Sequence, residues 1–134
     1  MTRRESREHL FCLLFQKDFY NQTEYSETLP AYFEGLDKAV SEDGQQEIID
    51  KLTRLISHLE EIDMLIEKYA TGWTMDRIGK AELALLRIAV FEAKYEEDIP
   101  VGVAINEAVE LAKIYGEDNA PAFINGILGK IVNE

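Results

Sequence analysis

Apolar residues recur at steps of three and four along most of this chain, which is the spacing that places side chains on one face of an α-helix. The most regular stretch runs from Ile48 to Tyr69 and predicts a helix packed inside a bundle, with a break near Glu60-Glu61. A coiled-coil dimer is the alternative, but only about three heptads are present. No segment has the strict alternation of a β-strand. The pattern therefore predicts an all-α fold of about seven helices packed in two helical subdomains.

The N-terminal part of the pattern predicts two helices before that stretch. Thr2 and Glu5 have the spacing of a capping box, which predicts that the first helix begins near Arg3. Residues 21–26 are polar and predict a connector. A short second helix is predicted after Pro30, with these apolar side chains facing inward: Tyr32, Phe33, Leu36, Ala39 and Val40.

The polar segment around Gly72 predicts the boundary between two subdomains, 1–72 and 73–134, of a single domain. After this boundary, the apolar spacing predicts an amphipathic helix that runs from Met75–Tyr95. Gly79 would lie inside that helix, at a cost of roughly 1 kcal/mol relative to alanine.

Two helices that begin near prolines are predicted at the end of the sequence. Pro100 suits the first turn of one helix, which is predicted to end at Gly116 in a left-handed conformation. Asp118 or Asn119 predicts the cap of the next helix, with Pro121 in its first turn. The predicted apolar faces are Val101, Ile105, Ala108, Val109, Ala112 and Tyr115 on the first helix, and Phe123, Ile124, Ile127, Leu128 and Ile131 on the second.

The net charge of the chain argues against nucleic-acid binding, whereas the distribution of the charges argues for it. The 134 residues include 26 acidic and 14 basic ones, for a net charge of −12, whereas nucleic-acid-binding proteins usually present a basic surface. The N-terminus differs from the rest, because residues 1–20 hold four basic side chains against three acidic ones. Arg3, Arg4 and Arg7 fall on one side of the first predicted helix, near the positive end of its dipole, which local stability does not favour. We predict that all three are exposed, as an RNA contact or as a solvated helix face.

The sequence lacks the residue patterns that catalysis or metal binding would need. His9 and His58 are far apart and lack metal-ligand spacing with Cys12, the only cysteine. There is no glycine-rich phosphate loop and no nucleophile elbow around a serine. We therefore predict no enzymatic activity, no metal and no other cofactor. No apolar run approaches the roughly 18 residues of a membrane span, we expect no secretory signal, and a lone cysteine fits a reducing compartment, so the predicted location is the cytoplasm.

Four blocks of sequence carry a family resemblance. They are Arg3, Arg4 and Arg7-Glu8; Asp76-Arg77-Ile78 with Glu82; Leu86-Arg87-Ile88-Ala89; and, after Asp98-Ile99-Pro100, residues 104–113 with residues 123–128. In this order they resemble the N-utilisation substance B (NusB) family of bacterial transcription antitermination factors. The resemblance covers the whole chain, strongly after Thr74 and weakly between Tyr20 and Tyr69.

The resemblance implies an all-helical RNA-binding factor that pairs with NusE, a basic small-subunit ribosomal protein, on the boxA element of nascent RNA. Such a pair belongs to the RNA polymerase antitermination complex and promotes processive transcription of ribosomal RNA operons. By family position, the residues that would contact single-stranded boxA-type RNA are Arg3, Arg4, Arg7, Asn119 and Phe123. The residues that would contact NusE are Phe15 and Glu82. Ala122 stands where many relatives carry a basic residue, so we expect a weaker RNA contact on that side.

Several of these positions also have an ordinary structural interpretation. Phe123 and Phe15 could pack in the core, and Glu82 could be a solvated helix carboxylate. The competing function is an acidic helical scaffold that binds only protein, with its arginines in intramolecular salt bridges. Whether the free protein is a monomer or a homodimer stays open.

Overall fold

The computed structural model describes residues 1–133, apart from the side chain of Gln22. Across these residues the chain forms seven α-helices, one 3-10 turn and no β-strand, which confirms the predicted all-α fold. None of these helices is both long and apolar enough to cross a lipid bilayer. The α-helices are α1 (Arg3–Lys17), α2 (Gln22–Glu34), α3 (Glu42–Ser57), α4 (Leu59–Tyr69), α5 (Lys80–Tyr95), α6 (Val101–Tyr115) and α7 (Ala120–Val132), and the 3-10 turn is Met75–Arg77.

The described chain divides into two compact units, Met1–Arg54 and the residues from Leu55 onward. The sequence predicts a division near Gly72, which has the only positive φ, 84°, among the described residues. The division lies earlier because α4 packs on α5 and α7 and so belongs to the second unit. The predicted boundary is corrected accordingly.

The first helix begins as the sequence predicts. Thr2 Oγ1 accepts the backbone N–H of Glu5 at 3.0 Å, and Glu5 Oε1 accepts the N–H of Thr2 at 3.2 Å, which completes the capping box. Tyr25 of α2 donates its buried hydroxyl to the carbonyl oxygen of Leu13 at 2.7 Å and so fixes α2 on α1. The apolar side chains that α1 buries are Leu10, Phe11, Leu13 and Leu14.

The predicted connector at residues 21–26 is wrong, because α2 begins there. Asn21 caps this helix, and its side-chain oxygen accepts the N–H of Glu24 at 2.9 Å. Pro30 lies inside α2, where it removes one intrahelical hydrogen bond. The predicted helix after Pro30 is also wrong, since α2 ends soon after it. Of the side chains predicted to face inward, only Phe33 is buried.

The long apolar repeat forms two helices, as predicted. His58 separates α3 from α4, slightly before the predicted break at Glu60-Glu61. Ser41 caps α3, because its hydroxyl oxygen accepts the N–H of Gly44 at 3.0 Å. Most of the predicted apolar positions of the repeat are buried, namely Ile48, Leu52, Leu55, Ile62 and Ile66.

The central helix of the second unit is α5, which packs on α4, α6 and α7 and is buried throughout Leu83–Glu92. Its Arg87 forms a bidentate ion pair with Asp63 of α4, with Nε–Oδ1 at 2.8 Å and Nη2–Oδ2 at 2.9 Å. The helix begins at Lys80, later than predicted, because Gly79 is its N-cap. The predicted cost of an interior glycine is therefore wrong.

The helices α6 and α7 form the predicted pair. Pro100 is the N-cap of α6, and Gly116 ends it with φ −96°, so the predicted left-handed conformation is wrong. Glycine is required there for space, because a Cβ on Gly116 would lie 2.5 Å from the Cβ of Ala120. Asn119 is the N-cap of α7 and Pro121 lies in its first turn, as predicted.

The buried faces of these two helices match the prediction unequally. On α7 the predicted face is buried, except that Phe123 is half-buried. On α6, Val101 and Tyr115 are exposed although both were predicted to be inward. Small side chains allow α6 to lie close to its neighbours, and its buried residues are Ala104, Ala108, Leu111 and Ala112.

Candidate functional site

The first candidate site is the N-terminal turn of α1. Arg3 and Arg4 are exposed, whereas Arg7 is only 5% exposed. Arg4 and Arg7 each have an interaction partner. The prediction that all three arginines are exposed is therefore wrong for Arg7. The reason is its place on the helix: Arg7 lies one turn further along, in the same row of side chains as the buried Leu10 and Leu14.

Glu5 adds a carboxylate to the same helical turn as Arg3 and Arg4. The N–H of Thr2 and the ammonium group of Lys38, at 3.2 Å, both bond this carboxylate and lower the pKa of Glu5 to about 2. Glu5 and Glu8, together with His9 and Lys38, line a groove of about 470 Å³.

Phe15 belongs to a row of three aromatic rings on α1 and the turn that follows it. Its ring centroid lies 6.0 Å from that of Phe11 and 5.2 Å from that of Phe19. Phe11 is buried, Phe15 is half-buried and Phe19 is 59% exposed. Phe15 therefore lies between the core and the surface, because the row of rings ends at the exposed Phe19. Exposed aromatic side chains of this kind are typical of protein interfaces.

The second candidate site is a pocket of about 170 Å³ at the N-terminus of α7, built entirely by the second unit. It brings together three residues named by the family resemblance: Glu82 of α5, the cap residue Asn119, and Phe123 in the first turns of α7. Predicted RNA contacts and a predicted NusE contact thus share one pocket. The remaining residues that line it are Trp73, Arg77, Ile78, Gly79, Glu117 and Ala120.

Glu82 has an internal role that the sequence does not reveal. Its Oε1 accepts the backbone N–H of Glu117 at 3.2 Å, which ties the first turn of α5 to the loop before α7. Two glycines leave room for the carboxylate: a Cβ on Gly79 would collide with Oε2, and a Cβ on Gly116 would lie 3.2 Å from Oε1. Glu82 is half-buried, and its carboxylate makes this bond at the open edge of the pocket.

Trp73 and Arg77 line the pocket, but the sequence did not indicate them as RNA contacts. The Trp73 ring is 48% exposed and meets Phe123 edge to face, with centroids 5.7 Å apart and planes at 72°. Phe123 is therefore not simply a core residue. One signal could have pointed to Trp73: the only tryptophan of the chain follows Gly72 in a polar segment that offers it no helical apolar face.

Comparison with known proteins identifies the relatives of this fold. The sequence profile of the NusB family matches residues 4–133. This chain belongs to the NusB family. The transcription antitermination protein NusB of Lachnoclostridium phytofermentans is 44% identical over 134 residues, which are 99% of this chain and 100% of that protein. That of Agathobacter rectalis is 44% identical over 130 residues, or 97% of this chain and 98% of that protein. The predicted resemblance is confirmed.

Solved structures of NusB proteins share the fold. NusB of T. maritima superimposes with a TM-score of 0.84 at 33% identity, covering 100% of this chain and 92% of that chain. A chain in a crystal structure of the antitermination factors NusB and NusE in complex with dsRNA has a TM-score of 0.77 at 27% identity, covering 98% of this chain and 96% of that chain.

Each histidine of this NusB-family chain contacts a tyrosine. His58 stacks on Tyr95 with ring centroids 4.0 Å apart, and His9 Nδ1 lies 2.7 Å from the hydroxyl of Tyr32. Burial raises the pKa of the Cys12 thiol, which disfavours the reactive thiolate. Across residues 1–133, no group of three or more His, Cys, Asp or Glu side chains is arranged to hold a metal ion.

Proposed function

We propose that the protein is a transcription antitermination factor that binds boxA-type single-stranded RNA as a heterodimer with NusE. In this proposal it acts in the cytoplasm, within the RNA polymerase antitermination complex, and promotes processive transcription of ribosomal RNA operons. The family match over residues 4–133 is the observation that carries the proposal. A related NusB protein crystallised with NusE and dsRNA supports it, as does the pocket that holds Asn119 and Phe123 together.

The RNA contacts in this proposal have distinct chemical roles. Arg3 and Arg4 present exposed guanidinium groups, which suit phosphate oxygens. Phe123 offers a ring on which an unstacked base can lie, and Asn119 offers an amide next to it. Arg7 is buried, so in this proposal it supports the packing of α1 instead of contacting RNA.

The contacts with NusE rest on charge and on aromatic surface. A net charge of −12 attracts a basic partner and helps to orient it. Phe15, with the exposed Phe19 beside it, supplies an aromatic anchor. Glu82 would link the two activities, because the carboxylate proposed to face NusE also holds the loop that carries Asn119.

A titration of labelled boxA RNA into the protein, into NusE and into their mixture tests this function. The acidic body repels phosphate, so we expect the mixture to bind at least tenfold more tightly than this protein alone, or about 1.4 kcal/mol of coupling. Replacing both Arg3 and Arg4 by alanine should lower the slope of log affinity against log salt by about 1.4, from two single-strand phosphate contacts. A double variant of the exposed Lys94 and Lys130 is the matched control and should leave the slope nearly unchanged.

Two outcomes would contradict the proposal in different ways. Equal RNA affinity with and without NusE would remove the cooperative mechanism. Binding of NusE without any binding of RNA, by the protein or by the pair, would instead favour the acidic scaffold.

A further inference from the structure

The pocket at the N-terminus of α7 contains more binding chemistry than the family resemblance assigns to it. We infer that it takes one unstacked nucleobase of single-stranded RNA, with Trp73 as its stacking surface and Arg77 as the neighbouring phosphate contact. This inference rests on the proposed RNA-binding function and adds two residues to it.

The exposure and geometry of Trp73 support a stacking role. A tryptophan that is 48% exposed leaves a large apolar ring in water, which burial against another ring would relieve. In its edge-to-face pair with Phe123, the edge of one ring meets the face of the other, so flat ring surface stays uncovered. Every base has a π-face, and stacking on exposed aromatic side chains is the usual way in which proteins hold single-stranded bases.

Asn119 supplies hydrogen-bonding groups next to this ring. It is the N-cap of α7, yet its side chain makes no capping hydrogen bond, whereas Asn21 at the start of α2 does so at 2.9 Å. The helix therefore does not use the Asn119 amide, which carries both donors and an acceptor. An amide of this kind can pair with the edge of a base.

Size and charge determine which part of a nucleotide fits. A pocket of about 170 Å³ is smaller than the roughly 300–1,000 Å³ of sites that enclose a whole small-molecule ligand, so it suits one base with its sugar and phosphate outside. Glu82 and Glu117 repel phosphate, and Glu82 is committed to the N–H of Glu117. Arg77 is the exposed cation among the residues that line the pocket, and the phosphate would lie next to its guanidinium group.

Because Trp73 is the only tryptophan, its intrinsic fluorescence reports on the pocket directly. We expect quenching when boxA RNA is titrated into the unmodified isolated chain at low salt, where binding is strongest. An unchanged Trp73 spectrum at saturating RNA would overturn the inference. This measurement decides the question even if substitution of Trp73 unfolds the protein.

The second measurement combines Trp73→Ala with RNAs that each carry one abasic site, using the heterodimer with NusE. For the wild type, one abasic position should cost roughly tenfold in affinity. Trp73→Ala should lose a similar factor on intact RNA and show no further loss at that position, whereas Trp73→Phe should retain most of the affinity. Arg77→Gln should lower the salt slope by about 0.7. Met64→Ala, which changes a still more exposed apolar residue outside the pocket, is the control.

The outcomes separate this inference from the proposed function. If the wild type binds no RNA, alone or with NusE, both are overturned. If the wild type binds RNA through Arg3 and Arg4 but Trp73→Ala binds normally, only the inference is overturned. It is also overturned if Trp73→Ala weakens the binding of NusE and not that of RNA, which would make the pocket a protein contact.

Discussion

At the scale of single residues, the three arginines of α1 have the same chemical groups but differ in their exposure to solvent. Arg3 and Arg4 keep their guanidinium groups in water, while Arg7 is 5% exposed. A guanidinium removed from water needs partners that replace its hydration, and Arg7 has an interaction partner. We therefore expect Arg7 to contribute mainly to the stability of the first unit, whereas Arg3 and Arg4 are the arginines that we propose as RNA contacts.

We expect Arg7→Ala to lower the free energy of unfolding by about 3 kcal/mol, because it removes a buried charge and its packing and leaves a partner unsatisfied. Arg3→Ala and Arg4→Ala should each stay within about 0.5 kcal/mol of the wild type. Urea unfolding followed by circular dichroism measures all three. Equal stabilities for the three variants would show that Arg7 is not a structural residue.

At the scale of elements, polar side chains connect α5 to the elements packed around it. The Arg87–Asp63 pair connects α5 to α4, with Arg87 buried and Asp63 half-buried. Glu82 connects α5 to the loop before α7, between two glycines that leave it room. The second unit is thus held by specific polar bonds in addition to its apolar core, and one of these bonds shapes the candidate pocket.

Asp63→Ala should destabilise the protein by about 3 kcal/mol, because the buried Arg87 would keep its charge and lose both of its hydrogen bonds to the Asp63 carboxylate. The combined variant Asp63→Leu with Arg87→Met should recover most of that loss, since it replaces both charges of the pair by apolar side chains. Thermal unfolding of the single and double variants checks this. A double variant less stable than Asp63→Ala would contradict the explanation.

At the scale of the whole molecule, the net charge is the dominant property. At −12 the protein attracts a basic partner and repels the RNA that we propose it binds. The two tendencies are compatible if the partner neutralises part of the acidic field before or while RNA binds. RNA binding by the pair then depends on both proteins.

Thermodynamic linkage gives this idea a second test, because RNA must tighten the protein pair by the same factor by which NusE tightens RNA binding. We expect boxA RNA to raise the affinity for labelled NusE at least tenfold at low salt, with a smaller gain at high salt, where exposed charges are screened. An RNA of unrelated sequence serves as control. No change in NusE affinity at any salt concentration would refute the coupling.

The sequence by itself determined the features of this protein that depend on neighbours along the chain. The capping box of Thr2 and Glu5, the division of the long apolar repeat, and the proline-started α7 follow from local hydrogen bonding and helical spacing. Local rules also failed where two of them disagreed. At α2, Asn21 favours a helix start at Gln22 and Pro30 favours a later one, and the helix begins after Asn21 with Pro30 inside it. The four sequence blocks were sufficient to indicate the NusB family.

Tertiary structure decided what depends on residues distant in sequence. Three features depend on which helices pack together, and a single helix does not specify this. They are the burial of Arg7, the exposure of Val101 and the position of α4 in the second unit. The pocket is the clearest case, since Trp73 and Phe123 are fifty residues apart and meet only when α7 folds against α5. Periodicity identifies which side chains leave the water, but the side chains that they meet are set by the packing of the whole unit.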